Sequence, residues 1–361
     1  MKTTTRRTLL AALAALLLGT VGCDDVLIFD VAPDGRLLVA FDADGKAAAV
    51  GEGNRPRHLG LVDPTTGEVA RLTTAAAPLA WPRACGAGAV AVRARTTLVY
   101  IPGPGEEGAV RVLRTGGKRL FQPMPSPTGD KVAVLETTKL GVPGVLLVLD
   151  AHTGAVDRAL EDVLLGFAWV GDDALLAPHA LGPMDESGAP APAEVILSKG
   201  GQAPVIACRA TLTAATWISP RRGSGEAAIC VARAGESPTI GLARIAAGSK
   251  EAALSAGTAL LEFFPDVDKT GRVLFTRSTP NPKRPSLEGP SLEGELRTAP
   301  LADLSTSTVI PTRGPATAPR WVDAGRVAYH TPEDHLVVQS LDGSGRLDLT
   351  DNLRASYGES P

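Results

Sequence analysis

One pattern of apolar and polar positions recurs along most of the chain. Each copy has an aromatic residue, then a few residues rich in Pro, Gly or Asp, then a short apolar run of the kind typical of β-strands. Successive copies lie 40 to 57 residues apart, a spacing too regular for unrelated loops. The chain is therefore predicted to contain seven similar units, and their aromatic positions are Phe29, Trp81, Phe121, Trp169, Trp217, Phe264 and Trp321.

A second pair of apolar runs, joined by a short turn, follows the first pair in several copies, as in residues 58–73 and 144–160. Four strands per repeat are the unit of a β-propeller blade, and blades stacked side by side bury faces that a single small sheet would leave exposed. We therefore predict an all-β fold, a β-propeller of four-stranded antiparallel blades. Seven blades fit the spacing, with six or eight as alternatives because the copies at Trp81 and Trp169 are degraded.

Composition narrows the class of protein. Of the 361 residues, 44% are hydrophobic and 21% are charged, and the formal net charge is -3. These values argue against a disordered polyelectrolyte and against a basic nucleic-acid binder. The 39 glycines and 29 prolines, with only 4% aromatic residues, predict many tight turns and short elements rather than long helices.

The N-terminus has the features of an export signal. A basic start that includes Arg6 and Arg7 precedes an apolar run at residues 9–18, which is too short to cross a bilayer as a helix. Cys23 follows a small residue and resembles the lipidated cysteine of bacterial lipoproteins. We predict a signal peptide over residues 1–22, a lipid anchor at Cys23 and a location in the cell envelope, on a membrane facing the periplasm or the cell surface. A plain signal peptide with an incidental cysteine is the alternative, and Sec and twin-arginine export both remain open.

Export changes the interpretation of the other three cysteines, Cys85, Cys208 and Cys230, because disulfides persist in oxidising compartments. No CxxC occurs, so a zinc fold is not expected. Cys208 lies late in one repeat and Cys230 on an early strand of the next, and neighbouring blades could bring them within bonding distance. A Cys208–Cys230 disulfide is therefore predicted, with Cys85 free.

The repeats also share a more detailed motif. Residues 319–329 have the sequence PRWVDAGRVAY, and related runs occupy 265–275 and 125–134. These runs resemble the P-x-W-S-P-D-G-x-x-I-A-F motif of TolB-like, WD40-like β-propellers, and the resemblance covers nearly the whole chain after the signal. It implies the propeller fold. The motif supplies turns and packing residues, so it implies no particular chemistry.

Two clusters could hold a metal ion, and both have a simpler interpretation. Asp266, Asp268 and Thr270 match the first half of a calcium loop, but Arg277 stands where a glutamate ligand is needed. The segment 330–335, HTPEDH, has two histidines and two carboxylates without the spacing of a helical HExxH site, and is interpreted as a hairpin tip. We therefore expect no metal and no cofactor.

No GxSxG elbow, phosphate-binding GxxxxGK[ST] loop or dinucleotide fingerprint occurs in the sequence. We therefore expect a non-catalytic binding or scaffold module. An active site assembled from several blades would escape a motif search, so an envelope hydrolase or lyase with its site in the propeller channel is the alternative.

Loop length indicates where a partner could bind. In an up-and-down meander, the connections between second and third strands share one rim, and two of them, at 179–193 and 277–295, are long. Neutral insertion into tolerant loops is the alternative. We predict a monomer whose rim binds envelope proteins or a small ligand, and no nucleic acid. The predicted rim residues are His179, Asp185, Glu186, Arg277, Lys283, Arg284, His330 and His335.

Overall fold

The computed structural model describes residues 29–42, 56–73, 77–106, 109–139, 142–182, 191–212, 217–222, 224–233, 239–245, 253–254, 261–278, 294–333 and 335–356. The predicted signal peptide, Cys23 and most of the two long rim loops lie outside these segments. Within them, 28 strands and one short helix are formed, and the strands fall in chain order into seven groups of four. No helix in these segments is long and apolar enough to cross a membrane.

The bounds of the elements follow the predicted repeats. Group 1 contains β1 (Phe29–Val31), β2 (Leu37–Asp42), β3 (Pro56–Val62) and β4 (Val69–Arg71). Group 2 contains β5 (Ala77–Cys85), β6 (Gly88–Arg93), β7 (Thr97–Ile101) and β8 (Arg111–Thr115). Group 3 contains β9 (Arg119–Pro125), β10 (Lys131–Thr137), β11 (Gly144–Asp150) and β12 (Val156–Val163). Group 4 contains β13 (Ala168–Gly171), β14 (Ala174–Ala180), β15 (Ala191–Lys199) and β16 (Val205–Leu212).

The later groups have shorter fourth strands. Group 5 contains β17 (Ile218–Pro220), β18 (Ala227–Arg233), β19 (Thr239–Ile245) and β20 (Ala253–Leu254). Group 6 contains β21 (Leu261–Val267), β22 (Arg272–Ser278), β23 (Glu295–Pro300) and β24 (Thr308–Val309). Group 7 contains β25 (Thr317–Trp321), β26 (Arg326–His330), β27 (Leu336–Ser340) and β28 (Leu347–Asp348), and the helix α1 (Thr350–Ser356) follows it.

Within each group the strands pair in chain order, so each group is an up-and-down meander. Two pairings extend beyond a group, because β3 also pairs with β5 and β12 with β14. Since strand direction alternates, the second-to-third connection and the link to the next group leave from the same edge. We call this the second-hairpin edge, and it corresponds to the rim predicted from the sequence.

The chain forms two compact units. The terminal unit takes residues from Cys23–Glu136, Leu147–Ala159 and Pro311–Pro361, and so includes groups 1, 2 and 7. The middle unit includes Thr137–Leu146 and Leu160–Ile310, and so contains groups 4, 5 and 6, while group 3 has residues in both units. The prediction of one propeller domain over residues 23–361 stays a prediction.

Each unit has its own apolar core between strand groups. In the terminal unit, Phe29 and Val39 of group 1 pack with Leu336 of group 7 and Leu353 of α1. In the middle unit, a core between groups 4 and 5 is built from alternate residues of the strands that face each other. Burial of these faces explains why runs such as AAIC in β18 and VLF in β22 are almost wholly apolar.

The repeated aromatic residues lie on, or directly before, the first strand of each group, as predicted. In four groups a residue directly before a proline on this strand has a positive φ, and three of these positions coincide with a shift in strand register. Such bulges turn the strand and redirect its side chains. The proline of this first strand is therefore a bulge signal, and the residues directly before it are Trp81, Gln122, Phe264 and Ala318.

Aspartates close the first hairpin in groups 1, 6 and 7. Asp268 accepts hydrogen bonds from the backbone N–H groups of Thr270 and Arg272 and from the Arg272 guanidinium. Asp34 with Arg36, and Asp323 with Arg326, repeat the arrangement. Burial opposes ionisation of Asp268, but these donors hold the pKa of its carboxyl below the ordinary value. The calcium-like segment is thus a hairpin, as the sequence indicated.

Candidate functional site

The predicted rim residues fall at strand ends on the second-hairpin edge, where the structure describes them. His179 and Arg277 each precede the last residue of the second strand in their groups, His330 ends β26, and His335 directly precedes β27. The other predicted positions, Asp185, Glu186, Lys283, Arg284 and the lipidation site Cys23, lie outside the described residues.

Arg277 belongs to a buried ion pair in the middle unit. Its Nη2 lies 2.6 Å from Oε1 of Glu262, and their side chains are 13% and 1% exposed. The other carboxylate oxygen of Glu262 accepts the backbone N–H of Leu242 on β19 at 2.9 Å. The guanidinium also lies over the Phe275 ring. Glu262 therefore joins group 6 to group 5, and Arg277 is its internal partner within group 6, which corrects the prediction that the charge of Arg277 faces a partner.

His330 is buried in the terminal unit, at 1% exposure. Its ring packs edge-on against Phe29 with centroids 5.1 Å apart, and neither ring nitrogen has a hydrogen-bond partner in the described part of the chain. Burial lowers the pKa of this imidazole to about 3, so the ring is neutral at physiological pH. The prediction of His330 as a partner-binding residue is corrected, because its strand end turns inward against group 1.

His335, five residues further on, has a different environment. Its Nδ1 lies 2.5 Å from Oδ2 of Asp348, and the ring is about one-third exposed. Burial alone would raise the pKa of the Asp348 carboxyl. The Thr350 N–H and the His335 ring nevertheless hold this pKa below its ordinary value. The carboxylate orients the imidazole, as in many functional histidines. Of the two histidines in HTPEDH, only His335 lies where a partner could reach it.

A polar row crosses group 4 near the second-hairpin edge. His179, Glu194 and Arg209 are directly opposite one another on β14, β15 and β16. Arg209 Nε lies 3.0 Å from Glu194 Oε1, with the arginine side chain 69% exposed. The row therefore presents a fixed pair of charges beside the half-buried His179. The sequence places Glu194 beside this long connection, but Arg209 was not singled out, and only the register reveals the row.

The predicted Cys208–Cys230 disulfide is not formed, since Cys85, Cys208 and Cys230 are all free and buried. Cys208 packs in the core between groups 4 and 5, where Ile229 and Val231 of β18 also face. Cys230 lies between them in sequence, so its side chain points to the opposite face, where its thiol contacts the Glu262 carbonyl oxygen. Burial raises the pKa of all three thiols, to about 12 for Cys85 and about 11 for Cys208.

A further charged site in the terminal unit was missed by the sequence analysis. Glu136 Oε1 accepts the backbone N–H groups of Gly117 and Lys118 at 3.0 and 3.2 Å, and Arg114 lies 3.4 Å from Oε2. A Cβ at Gly116 would come within 3.0 Å of the same carboxylate, so glycine permits the close approach. These donors form a cradle for a carboxylate. The sequence signal was the lack of any acidic residue over 108–129.

Within the segments that the structure describes, no group of three or more His, Cys, Asp or Glu side chains is arranged to bind a metal. The arrangements found here are suited to binding charged or polar surfaces through fixed ion pairs and backbone amides.

No protein-family model and no curated protein sequence matches the chain. Solved structures do match. The β-propeller domain of the Trilobed protease from Pyrococcus furiosus is 11% identical with a TM-score of 0.58, over 88% of this chain and 94% of that one. The C-terminal WD40 domain of Sif2 is 14% identical with a TM-score of 0.53, over 88% and 82%. TolB from Acinetobacter baumannii is 12% identical with a TM-score of 0.47, over 82% and 76%.

At these identities the similarity shows the fold alone. The chain is a β-propeller, which confirms the fold class predicted from the repeats. The number of blades stays a prediction, because the seven groups are counted only over the described residues.

Proposed function

We propose that this β-propeller is a non-catalytic binding or scaffold module of the bacterial cell envelope, exported and held to a membrane by a lipid anchor at Cys23. Export and anchoring are supported by the basic start, the short apolar run and the cysteine that follows. Stable attachment needs more than one acyl chain, which a processed lipoprotein cysteine carries. The second-hairpin edge binds the partner, an envelope protein.

One observation carries the binding proposal: charged pairs lie at the bases of two long connections on this edge. The Glu194–Arg209 pair follows the connection after β14, and a Glu295–Arg297 pair at 2.8 Å follows the connection after β22. Arg209 and Glu295 are more than half exposed. Rigid strands that display charged loops are a common arrangement for recognition, because the scaffold orders the contacts before binding.

An envelope hydrolase or lyase is the second candidate. It is supported by the similarity between this chain and the β-propeller domain of a protease from Pyrococcus furiosus. Turnover of a chromogenic peptide or ester by the purified chain, in the absence of any other protein, would favour this candidate over the binding module.

The test of the binding proposal shortens the connection after β22. Replacing residues 280–292 with Asn-Gly keeps Arg277 and Gly294, whose Cα lies against the Arg277 backbone. We expect little change in melting temperature, since surface loop length has a small effect on stability. Chemical crosslinking in intact cells should then recover fewer envelope proteins with the variant than with the wild type.

A Lys269→Ser variant at a first hairpin, on the opposite edge of the same group, serves as the control and should retain the crosslinked set. If the shortened variant also retains the full set with unchanged stability, the long connection is a neutral insertion and the proposed edge is wrong.

A further inference from the structure

The first strand enters group 1 from the second-hairpin edge. Phe29 begins β1 and lies opposite Val39, and β1 runs from there towards the first hairpin at residues 32–36. β2 returns past Val39 to Asp42, which lies opposite Arg57 at the second-hairpin edge. The part of β2 beyond Val39 therefore separates the level of Phe29 from this edge, a distance of about 10 Å.

The proposed lipid anchor lies a short distance before β1 in the chain. The segment from Cys23 to Phe29 spans at most about 20 Å, whatever conformation it adopts. Since about 10 Å of that length is needed to reach the level of Asp42, Cys23 lies no more than about 10 Å beyond the second-hairpin edge of group 1. With the acyl chains of the proposed anchor in the bilayer, this edge is confined near the membrane surface.

A hairpin of group 7 lies beside the start of β1. The His330 ring packs against the Phe29 ring with their centroids 5.1 Å apart, and Leu336 packs in the same core as Phe29. The chain turns between His330 and Leu336, and a hydrogen bond from the Thr331 N–H to the His335 carbonyl, 3.0 Å long, closes the turn. This turn is the group 7 tip, and its described residues are Thr331, Pro332, Glu333 and His335.

The packing of His330 on Phe29 gives the group 7 tip the same limit on its distance from the membrane. Glu333 at the tip is exposed, and the His335 ring, oriented by Asp348, is about one-third exposed. A gap of about 10 Å is much thinner than a small folded domain, which is about 30 Å across. A loop that rises from the membrane fits this gap. The exposed carboxylate of Glu333 favours a protein loop over anionic lipid headgroups.

We propose that the group 7 tip and the adjoining edge of group 1 face the membrane that holds the anchor, and that they bind a loop of an integral membrane protein in the same bilayer. This inference rests on the proposed function and narrows its envelope partner to a membrane-embedded one. The anchor confines the tip and the partner to one surface at the same height, which raises the effective concentration of each for the other.

Energy transfer from a labelled cysteine to an acceptor on lipid headgroups measures this orientation. The lipidated full chain is placed in vesicles of phosphatidylethanolamine and phosphatidylglycerol, with the donor at Glu333→Cys. Glu68→Cys is the matched control, because Glu68 is an exposed glutamate on the turn between β3 and β4, at the opposite edge of group 1. Cys85, Cys208 and Cys230 are buried and burial raises their thiol pKa values, so maleimide labels the introduced cysteine selectively.

We expect transfer to be at least about twofold more efficient from position 333 than from position 68, because the two edges are separated by at least the length of β2, about 17 Å. Inserting about twenty Gly and Ser residues between Asp25 and Val26 should abolish this difference, because a flexible linker of that length adds about 25 Å. Photocrosslinking from position 333 in intact cells should recover proteins with transmembrane segments, and the insertion should reduce their recovery.

Three outcomes overturn the inference and leave the proposed function standing. These are equal transfer from the two positions on an acylated chain, transfer from position 333 that the insertion leaves unchanged, which would show that the edge adheres to lipid by itself, and crosslinks to soluble exported proteins alone. Absence of acyl chains on Cys23, measured by mass spectrometry of the purified chain, would instead overturn the anchor in the proposed function, and this inference with it.

Discussion

Two contacts between neighbouring strand groups bury polar side chains in opposite ways. Between groups 5 and 6, both oxygens of the buried Glu262 are occupied, one by Arg277 of its own group and the other by the Leu242 N–H of group 5. Between groups 1 and 7, His330 is equally buried but has lost its charge, and an aromatic ring packs against it in place of a counter-ion. The first contact depends on electrostatic pairing, whereas the second depends on apolar packing around a neutral imidazole.

The difference matters because a buried charge and a buried neutral ring respond to different perturbations. Removing one member of a buried pair leaves the other charge without compensation, at a large cost. A neutral buried histidine is unaffected by loss of a distant charge but opposes protonation. The contact between groups 5 and 6 should therefore be sensitive to mutation of Arg277, the partner of Glu262. The contact between groups 1 and 7 should instead be sensitive to acid.

The largest effect is expected for Arg277→Met, which leaves the buried Glu262 side chain without its ion-pair partner. The free energy of unfolding, measured by denaturant titration, should fall by about 3–5 kcal/mol. Arg272→Met on the same strand is the matched control, since its pair with Asp268 is partly exposed and should cost about 1 kcal/mol or less. Equal effects of the two variants would show that burial of the Glu262–Arg277 pair adds nothing to its contribution to stability.

A smaller effect is expected from acid. Because the pKa of His330 is lowered to about 3 in the folded protein and is about 6.5 in the unfolded chain, the unfolded state binds more protons between these values. The contribution of the neutral His330 to stability is complete above about pH 6.5 and is lost as the pH falls. From about pH 7 to about pH 5 the loss should be about 2 kcal/mol.

His330→Leu should flatten this part of the stability curve. Restricting the measurement to pH values above about 5 avoids the aspartates with lowered pKa, such as Asp268 and Asp348, whose effects appear at lower pH. A pH slope that survives in His330→Leu would mean that another group is responsible.

The smallest effect concerns the link between α1 and group 1. Gly67 has φ of 74°, its carbonyl accepts the Asn352 side-chain N–H at 3.1 Å, and an added Cβ would lie 2.0 Å from that nitrogen. Gly67→Ala should therefore cost about 1–2 kcal/mol in unfolding free energy. Gly35→Ala is the control, because Gly35 has a similar φ of 85° with nothing within 4 Å of the added Cβ. If both substitutions cost the same, the Asn352 contact contributes nothing measurable.

Local features of the sequence were sufficient to predict the strands. The aromatic residue before a turn, as at Phe121 or Trp169, lies on the first strand of its group, and aspartates such as Asp268 close the hairpins expected of them. The bulges were missed because the proline after Trp81 or Phe264 was interpreted only as part of a motif. Proline has no N–H to donate to a neighbouring strand, so a proline inside a strand is itself a signal of an edge or a bulge.

The candidate site was less predictable, because its residues come from separate strands. Arg277 and His330 both lie in the last two residues of second strands and looked equivalent in the sequence, yet one pairs with a carboxylate and the other packs on a phenyl ring. Glu136 was not singled out, since the amides of Gly117 and Lys118 that hold it are backbone groups of the link between groups 2 and 3.

The sequence by itself determined the all-β class, the four-strand repeat and the turns, because a two-residue side-chain period and turn chemistry act over a few residues. Only the tertiary structure decided that Cys208 of β16 packs against one face of β18 while the Cys230 side chain points from the other face. It also decided that His330 is buried while His335 pairs with Asp348, and that Arg277 belongs to an internal pair. These outcomes depend on which face of each strand meets the next group, and that choice is made by packing between residues far apart in the chain.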